Sequence, residues 1–590
     1  MIESKKINII IAISLVFALI ISIMLVAVGN IKKTSSVNEV KAEYTTKIFG
    51  SDIVSIEIIA DEKDWQQMLD NAINEQYIMV DVIVNGTKFQ SVGIRPKGNS
   101  SLTQVVNSDS DRYSFRLQFN EYIEGQTCFG LESFVVNNML GDNTYMKEYV
   151  SYDLMQEIGV DAPHFGFADI KVNGENWGLY LAVELYNESY EQRVFNDASG
   201  MLYNVKSMEM GGNMGDNQPG RKNNNMMHNM PSMEEGENSR FQRPNNELQE
   251  REERDFAWLP DESGLPRESS GEDRPQGRIE GGMGRGSGGS LEYIDDNVES
   301  YSSIFNNVVG KGTEKDYKRV VEALKNLSEG NELEEYFDVD KILRYLAAHT
   351  IVVNLDSYSS SMAQNYYIYE NDGKITILPW DYNLAWGGFQ SGDASVINFP
   401  IDTPVSGVEM SSRPLIEKLF ENTEYLKQYH SYLQELIDEY FTKGKFEEKV
   451  NTLDTLISDY VQNDRTAFCT YEEYKKAIST FITLGNLRAE SVQGQLDGAV
   501  PSTSIEQNTN TDQLISAGDL ELSDLGSMMG GQDKNSFSGG MQQNRNIPNH
   551  LDVSTQVDQR VGINDLIING VFALMLIAAL LYVVRFRKSY

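Results

Sequence analysis

The stretch NLDSYSSSMAQNYYIYENDGKITILPWDYNLAWGG, residues 354–388, decides how this chain arranges its most informative polar side chains. Residues 365–369 and 374–378 are rich in β-branched and aromatic types, and Asn371, Asp372 and Gly373 between them carry a tight-turn signal. The segment therefore reads as a hairpin. Closing it about Asp372 and Gly373 sets Asn365, where the first strand starts, opposite Trp380 and Asp381, where the second ends. Upstream, Ile342, Leu343, Leu346, Ala347, Ile351 and Val352 recur at helical spacing behind Asp340, which reads as the helix cap. That helix is expected to end near Asn354, leaving Asp356 on the loop that feeds the hairpin.

Asp356, Asn365 and Asp381 are thus three metal-competent residues around one hairpin. Helix, loop Asp, Asn at a strand start, hairpin and exit Asp is also the order in which protein kinases place a catalytic Asp and two metal ligands. Phosphoryl transfer needs little covalent help from protein, so an Asp that positions a hydroxyl and oxygen ligands for Mg²⁺ cover much of the chemistry. Each residue alone has a plainer reading: Asp356 as a turn cap, Asn365 as a backbone partner, Asp381 as a strand end beside Pro379.

Residues 77–84 and 87–94 flank Asn85 and Gly86 and read as a second hairpin. It delivers Arg95, Lys97, Gly98, Ser100 and Ser101 at its far end, a phosphate cradle of positive charge, permissive backbone and hydroxyl donors. No Walker-type spacing is present, so an ordinary basic turn is the alternative. Arg116 shares a strand face with Ser114 and Gln118, and reaches either the same phosphates or solvent. A third turn, Asn173-Gly174, precedes a strand over 178–184 that ends at Glu184. Glu184 is a candidate partner for Lys97, or else an exposed strand-end carboxylate. Asp142 reads as the structural N-cap of a helix running through Ile158, with Gly159 as its stop.

The segments GIRPKGNSS (93–101), FNEYIEGQTCFGLESFVVNNMLGDNTYMKEYVSYDLMQEIGVDAP (119–163) and NGENWGLYLAVE (173–184), with NLDS, AQNYYIY and PWDYN from the opening stretch, are specific in combination. Together they resemble the CotH family of bacterial spore-coat protein kinases, over roughly residues 53–203 and 291–436. The resemblance implies an α+β, two-lobed atypical protein-kinase-like domain that uses ATP and Mg²⁺ or Mn²⁺ to phosphorylate protein Ser or Thr. It matches Asp356 to the catalytic-loop Asp and Asp381 to the metal-binding Asp, and it favours nucleotide contact by Arg95, Lys97 and Ser100. Asn137 and Asn138 also match family positions, without an assignable role. Family members commonly carry a second Asp in a PWDxD motif, where this chain has Asn383. An amide offers oxygen without charge, so metal affinity, or activity itself, is expected to be lower. The competing expectation is a non-catalytic surface or coat-assembly protein that keeps the fold for binding; transfer to a non-protein acceptor is a third.

The chain has 590 residues, 87 acidic against 50 basic, and a formal charge of −37. That balance argues against nucleic acid as a partner and suits a basic, Ser-rich protein substrate, although acidity also serves plain solubility. Cys128 and Cys469 are the only cysteines, which excludes a disulfide framework and a thiolate metal site. Residues 7–28 are mostly apolar behind Lys5 and Lys6 and read as an anchor or a signal peptide within residues 1–34. Residues 566–584, followed by Arg585, Arg587 and Lys588, read as a second span within 564–590. The positive-inside rule puts the large domain on the extracytoplasmic side or spore surface, against the signal of Lys32 and Lys33. ATP is scarce there, so three resolutions stay open: ATP between the membranes of a developing spore, the opposite orientation, or lost catalysis.

Residues 208–290 shift to Gly, Asn, Met, Glu, Arg and Pro and read as a disordered insertion dividing the kinase-like domain into 48–207 and 291–500. A Met-rich metal tract is the sharper alternative. Residues 501–563 repeat the bias and read as a flexible tether, and the Ser residues of either segment are candidates for self-phosphorylation. Helical periodicity over 413–496 completes the larger lobe.

Overall fold

Alternating apolar residues close the amino-terminal half into a barrel. The structure, a computed structural model, describes residues 42–50, 52–206, 287–389, 391, 393–526 and 528. Strands β1 (Val54–Ile59), β2 (Ile78–Val84), β3 (Thr87–Lys97), β4 (Ser114–Gln118), β5 (Ser133–Asn137), β6 (Phe165–Val172) and β7 (Glu175–Glu184) join in the order β1-β2-β3-β4-β5-β7-β6. Neighbours are antiparallel except β6 and β1, whose parallel pairing, Val54 against Ala168, shuts the barrel. Every second residue points inward, so Ile56, Ile58, Val82, Val84, Ile94, Phe115, Leu117, Phe134, Val136 and Ile170 form the interior. The register then sends Arg95, Lys97, Arg116, Val135 and Asn137 to the outer flank.

Helices α1 (Glu62–Asp70), α2 (Ser100–Val106) and α3 (Lys147–Glu157) follow β1, β3 and β5. α3 packs on the outer face of β6 and β7, where Val150 and Leu154 share a core with Phe167, Leu181 and Val183. After α4 (Glu188–Phe195) and strand β8 (Met201–Val205) come α5 (Glu314–Glu329) and α6 (Val339–Val352). The cap of α6 is Asp338, whose side chain accepts from the Lys341 N–H, and not Asp340, which binds Arg344, Gln428 and Tyr432 instead.

The expected hairpin forms as β9 (Tyr366–Asn371) and β10 (Lys374–Pro379), and it joins β8 in a three-stranded sheet. Asn371 pairs with Lys374, so Asp372 and Gly373 make the turn, with φ of +50° and +92°. Positive φ at both central residues is the type I′ pattern, for which Asp-Gly is well suited. Tyr366 faces Pro379, and this register carries Asn365 to the level of Trp380, as expected. Helices α7 (Pro414–Glu421), α8 (Thr423–Leu436), α9 (Lys445–Gln462) and α10 (Tyr471–Leu496) complete the helical part. It is joined to the barrel by a fully buried ion pair, Arg112 to Asp464 at 2.7 Å.

Two expected boundaries shift. The segment from residue 501 does not begin as a tether: it forms α11 (Ser504–Thr509), and Leu520, Leu522 and Leu525 are buried in the main core. At the end of the expected insertion, Ser287–Ser290 is already packed, with the Gly289 carbonyl accepting from Tyr366. The remainder of the insertion and both apolar spans lie outside the described residues. Among those described, no helix is long and apolar enough to cross a membrane.

Candidate active site

Four hydrogen bonds run from the barrel to the loop that carries Asp381. Lys97, the last residue of β3, donates from Nζ to Asn137 Oδ1 at 3.0 Å, and Asn137 Nδ2 donates to Glu148 Oε2 at 2.8 Å. Glu148 sits on the first turn of α3, one helical turn before Tyr152. The Tyr152 hydroxyl donates to Glu148 Oε1 at 3.1 Å and accepts from the Asp381 N–H, also at 3.1 Å. Strand, helix and hairpin exit are thereby locked to one another. Lys97 also lies 6.0 Å from the centre of the Trp380 ring.

Asp356 occupies the loop after α6, as the periodicity predicts. Gln364 Nε2 donates to its Oδ1 and Asn365 Nδ2 to its Oδ2, both at 3.0 Å, and Asn365 also reaches the Asp356 carbonyl at 2.8 Å. The carboxylate is therefore held from two sides. Asn354 ties the loops together, its Nδ2 donating to the Asp381 carbonyl at 3.3 Å and its Oδ1 accepting from the Asp356 N–H at 3.1 Å.

The charge of Asp381 acts on both Asp356 and Glu148. Burial, and then the charge of Asp381, push the Asp356 carboxyl up to about 7, while the amides of Gln364 and Asn365 pull it down. Glu148 is fully buried and is also pushed up to about 7, by desolvation first and the charge of Asp381 second, against the pull of Asn137 and Lys97. Buried carboxyl groups shifted towards neutrality by a shared neighbouring charge make this cluster a candidate site.

A family described as CotH kinase protein matches residues 94–261 and 280–492, more than half of the chain. The chain belongs to the CotH kinase family. It is similar to the inner spore coat protein H of Bacillus subtilis (strain 168), 22% identical over 360 residues, which cover 60% of this chain and 75% of that protein.

Within this CotH domain the structure relocates the partner of Lys97. Glu184 does not approach it: Arg193 and the Tyr44 hydroxyl hold that carboxylate, which also accepts from the His164 N–H. Strand parity explains the difference. Glu184 pairs with Phe134, on the inward row of the barrel, whereas Lys97 belongs to the outward row with Asn137. The carboxylate linked to Lys97 is instead Glu148, through Asn137. A sequence signal existed in the Glu148 and Tyr152 spacing, two polar groups four residues apart on the buried face of one helix.

The remaining candidates divide. Arg95 pairs with Glu75 and lies 5.3 Å from the Tyr77 ring, so its guanidinium already has a carboxylate partner. Arg116 is cross-strand from Arg95, binds Gln118 Oε1 at 2.8 Å, and lies close enough to Tyr367 for its charge to act on that phenol. Ser100 opens α2 and is exposed. Asn383 donates to the Leu140 carbonyl at 3.3 Å, which leaves its amide oxygen without a described hydrogen bond.

Asp381 suits a hard cation. Its carboxylate accepts no described hydrogen bond, while its charge acts on both Asp356 and Glu148. Among the described residues no three His, Cys, Asp or Glu side chains converge as a cage. One carboxylate with amide oxygens, the rest of the shell coming from phosphate and water, is how Mg²⁺ is usually held at nucleotide sites.

Proposed function

We propose that this CotH domain is an ATP-dependent protein serine/threonine kinase. The observation that carries the reading is the continuous hydrogen-bonded connection from Lys97 through Asn137, Glu148 and Tyr152 to Asp381, beside a clamped Asp356. Lys97 pairs with phosphate oxygens, with Arg116 on the same outward row and the exposed Ser100 three residues further along the chain. Asp381, with the amide oxygens of Asn365 and Asn383, would hold Mg²⁺ or Mn²⁺, which neutralises phosphate charge when bound. Asp356 orients the substrate hydroxyl and takes its proton as that oxygen bonds to the γ-phosphorus and the bond to the β-phosphate bridging oxygen breaks, releasing ADP.

The relative's description as a spore coat protein supports coat or surface proteins as substrates, with Ser-rich basic segments favoured by the acidic chain. The two terminal apolar spans would tether the domain to a membrane. A second reading rests on Asn383: with one charge fewer, the domain would bind nucleotide, or a coat partner, without transferring phosphate. Incubating the chain with Mg²⁺ or Mn²⁺, labelled ATP and a Ser-rich basic protein separates them. Label on substrate Ser or Thr, lost in Asp381→Asn, supports the kinase; nucleotide binding without transfer favours the second reading; neither sinks both nucleotide readings.

A further inference from the structure

The segment Leu520 to Gly526 lies across the start of α3, the helix that presents Glu148. Leu520, Leu522 and Leu525 are buried, Leu525 only 1% exposed. Asp524 pins the segment to α10 through Lys476 at 2.8 Å and the Thr480 hydroxyl at 3.2 Å. Its other side meets the loop before α3. The Asn143 N–H donates to the Leu525 carbonyl and its Nδ2 to the Asp524 carbonyl, both at 3.0 Å. Lys147, immediately before Glu148, is wholly buried, and its ammonium donates to the carbonyls of Gly141 at 3.0 Å and Gly526 at 3.2 Å.

A buried ammonium without acceptors is costly, so the Gly526 carbonyl supplies something α3 needs. The Lys147 N–H is in turn fixed by Asp142 Oδ2 at 2.9 Å, which makes loop, strap and helix start one unit. Gly526 has φ +78°, and a Cβ there would come within 2.8 Å of the Asn143 side-chain oxygen, so only glycine lets the strap approach this closely. On its far side Leu522 packs against Gly387, six residues beyond Asp381. The strap therefore touches both the helix that carries Glu148 and the segment leading away from Asp381.

We propose that residues 520–526 are a positioning strap: docked, they hold α3 so that Glu148 engages Asn137 and Lys97, and released, they let α3 shift and lower phosphoryl transfer. Lys147 and Asn143 are positioning residues that act through α3. The activity readout rests on the kinase reading; the structural readout does not.

The test uses the full chain and two substitutions that release the strap by different routes, Gly526→Val by steric conflict and Leu525→Asp by a buried carboxylate, with Ile505→Ser, at a position 79% exposed, as control. Hydrogen exchange is followed at 520–526 and across α3, and KM for Mg·ATP is separated from kcat. The strap predicts that exchange in α3 rises about tenfold as the strap is freed. Transfer should fall about tenfold, in kcat or in KM for Mg·ATP, with the melting temperature lowered but the cooperative melt retained, and the control like the unsubstituted chain. A freed strap with α3 exchange unchanged overturns the proposal. If the unsubstituted chain transfers nothing, the kinase reading falls, and exchange in α3 still decides the strap.

Discussion

At Asn365 and Asp381 the backbone takes φ of +57° and +61°, and at Val353, just before Asn354, +48°. Asn and Asp tolerate this left-handed region, whereas a β-branched residue there is held against its preference. Such outliers gather where the surrounding structure imposes a geometry that the chemistry uses. Asp356→Asn removes the proton acceptor and is expected to lower kcat at least about a hundredfold while nucleotide affinity is retained, as checked by initial rates and equilibrium binding. Asn383→Asp supplies the missing charge and should tighten Mg²⁺ binding in a nucleotide titration. A carboxyl whose folded pKa is raised binds its proton more tightly folded than unfolded, so its stabilising contribution is full below the unfolded value and is lost as pH rises. Asp356 and Glu148 therefore predict that, in chelator, thermal stability falls as pH climbs from about 4 through about 7. Asp356→Asn and Glu148→Gln should each flatten that slope, and added Mg²⁺ with nucleotide should stabilise more at pH 8 than at pH 5.

Among the elements, α3 carries the two side chains, Glu148 and Tyr152, that connect Asn137 to the Asp381 N–H. Glu148→Gln is expected to lower kcat/KM for Mg·ATP more than it lowers the melting temperature, because the amide keeps one of the two acceptor oxygens that meet Asn137 and Tyr152 and no longer balances Lys97. Glu184→Gln should do the reverse, leaving kinetic constants intact and destabilising the fold by roughly 3 kcal/mol, since Arg193 loses its buried partner. Finding the opposite pattern in parallel kinetics and thermal melts would restore Glu184 as the partner of Lys97. The hairpin β9–β10 was legible in sequence because Asp372-Gly373 dictates its turn locally, and closing that turn fixes what lies opposite Asn365. The position of Asp356 was legible for the same reason, at the end of one periodic helix. Glu148 was not, because pairing it with Lys97 depends on the parity of three barrel strands and on where α3 packs. Asn383 could be identified as a substitution in its motif, but not that its amide turns to Leu140. The strap was hidden by composition: Leu520, Leu522 and Leu525 stand in a polar run with no periodicity long enough to outweigh it.

Across the whole molecule, the barrel and the helical part share the core around α3 and the Arg112–Asp464 pair. Asp464→Ala strands a buried guanidinium and should cost on the order of 3–5 kcal/mol in denaturant unfolding. The two ends of the segment 207–286 meet at one residue, since the Lys206 N–H donates to the Ser303 carbonyl at 3.2 Å and the Ser303 N–H to the Ser287 carbonyl at 2.9 Å. Replacing that segment by a short Gly-Ser linker is therefore expected to change stability by no more than about 2 kcal/mol. Central to the whole account is that one constellation, Lys97 to Asp381 with Asp356 beside it, transfers phosphate. The most direct measurement is the single-turnover rate of label transfer from Mg·[γ-³²P]ATP to protein Ser or Thr, for the unsubstituted chain and for Asp356→Asn at matched nucleotide occupancy. Transfer is expected from the first, with a loss of at least about a hundredfold in the second. Equal rates in the two proteins, or no transfer by either when both are saturated with Mg·ATP, would contradict it.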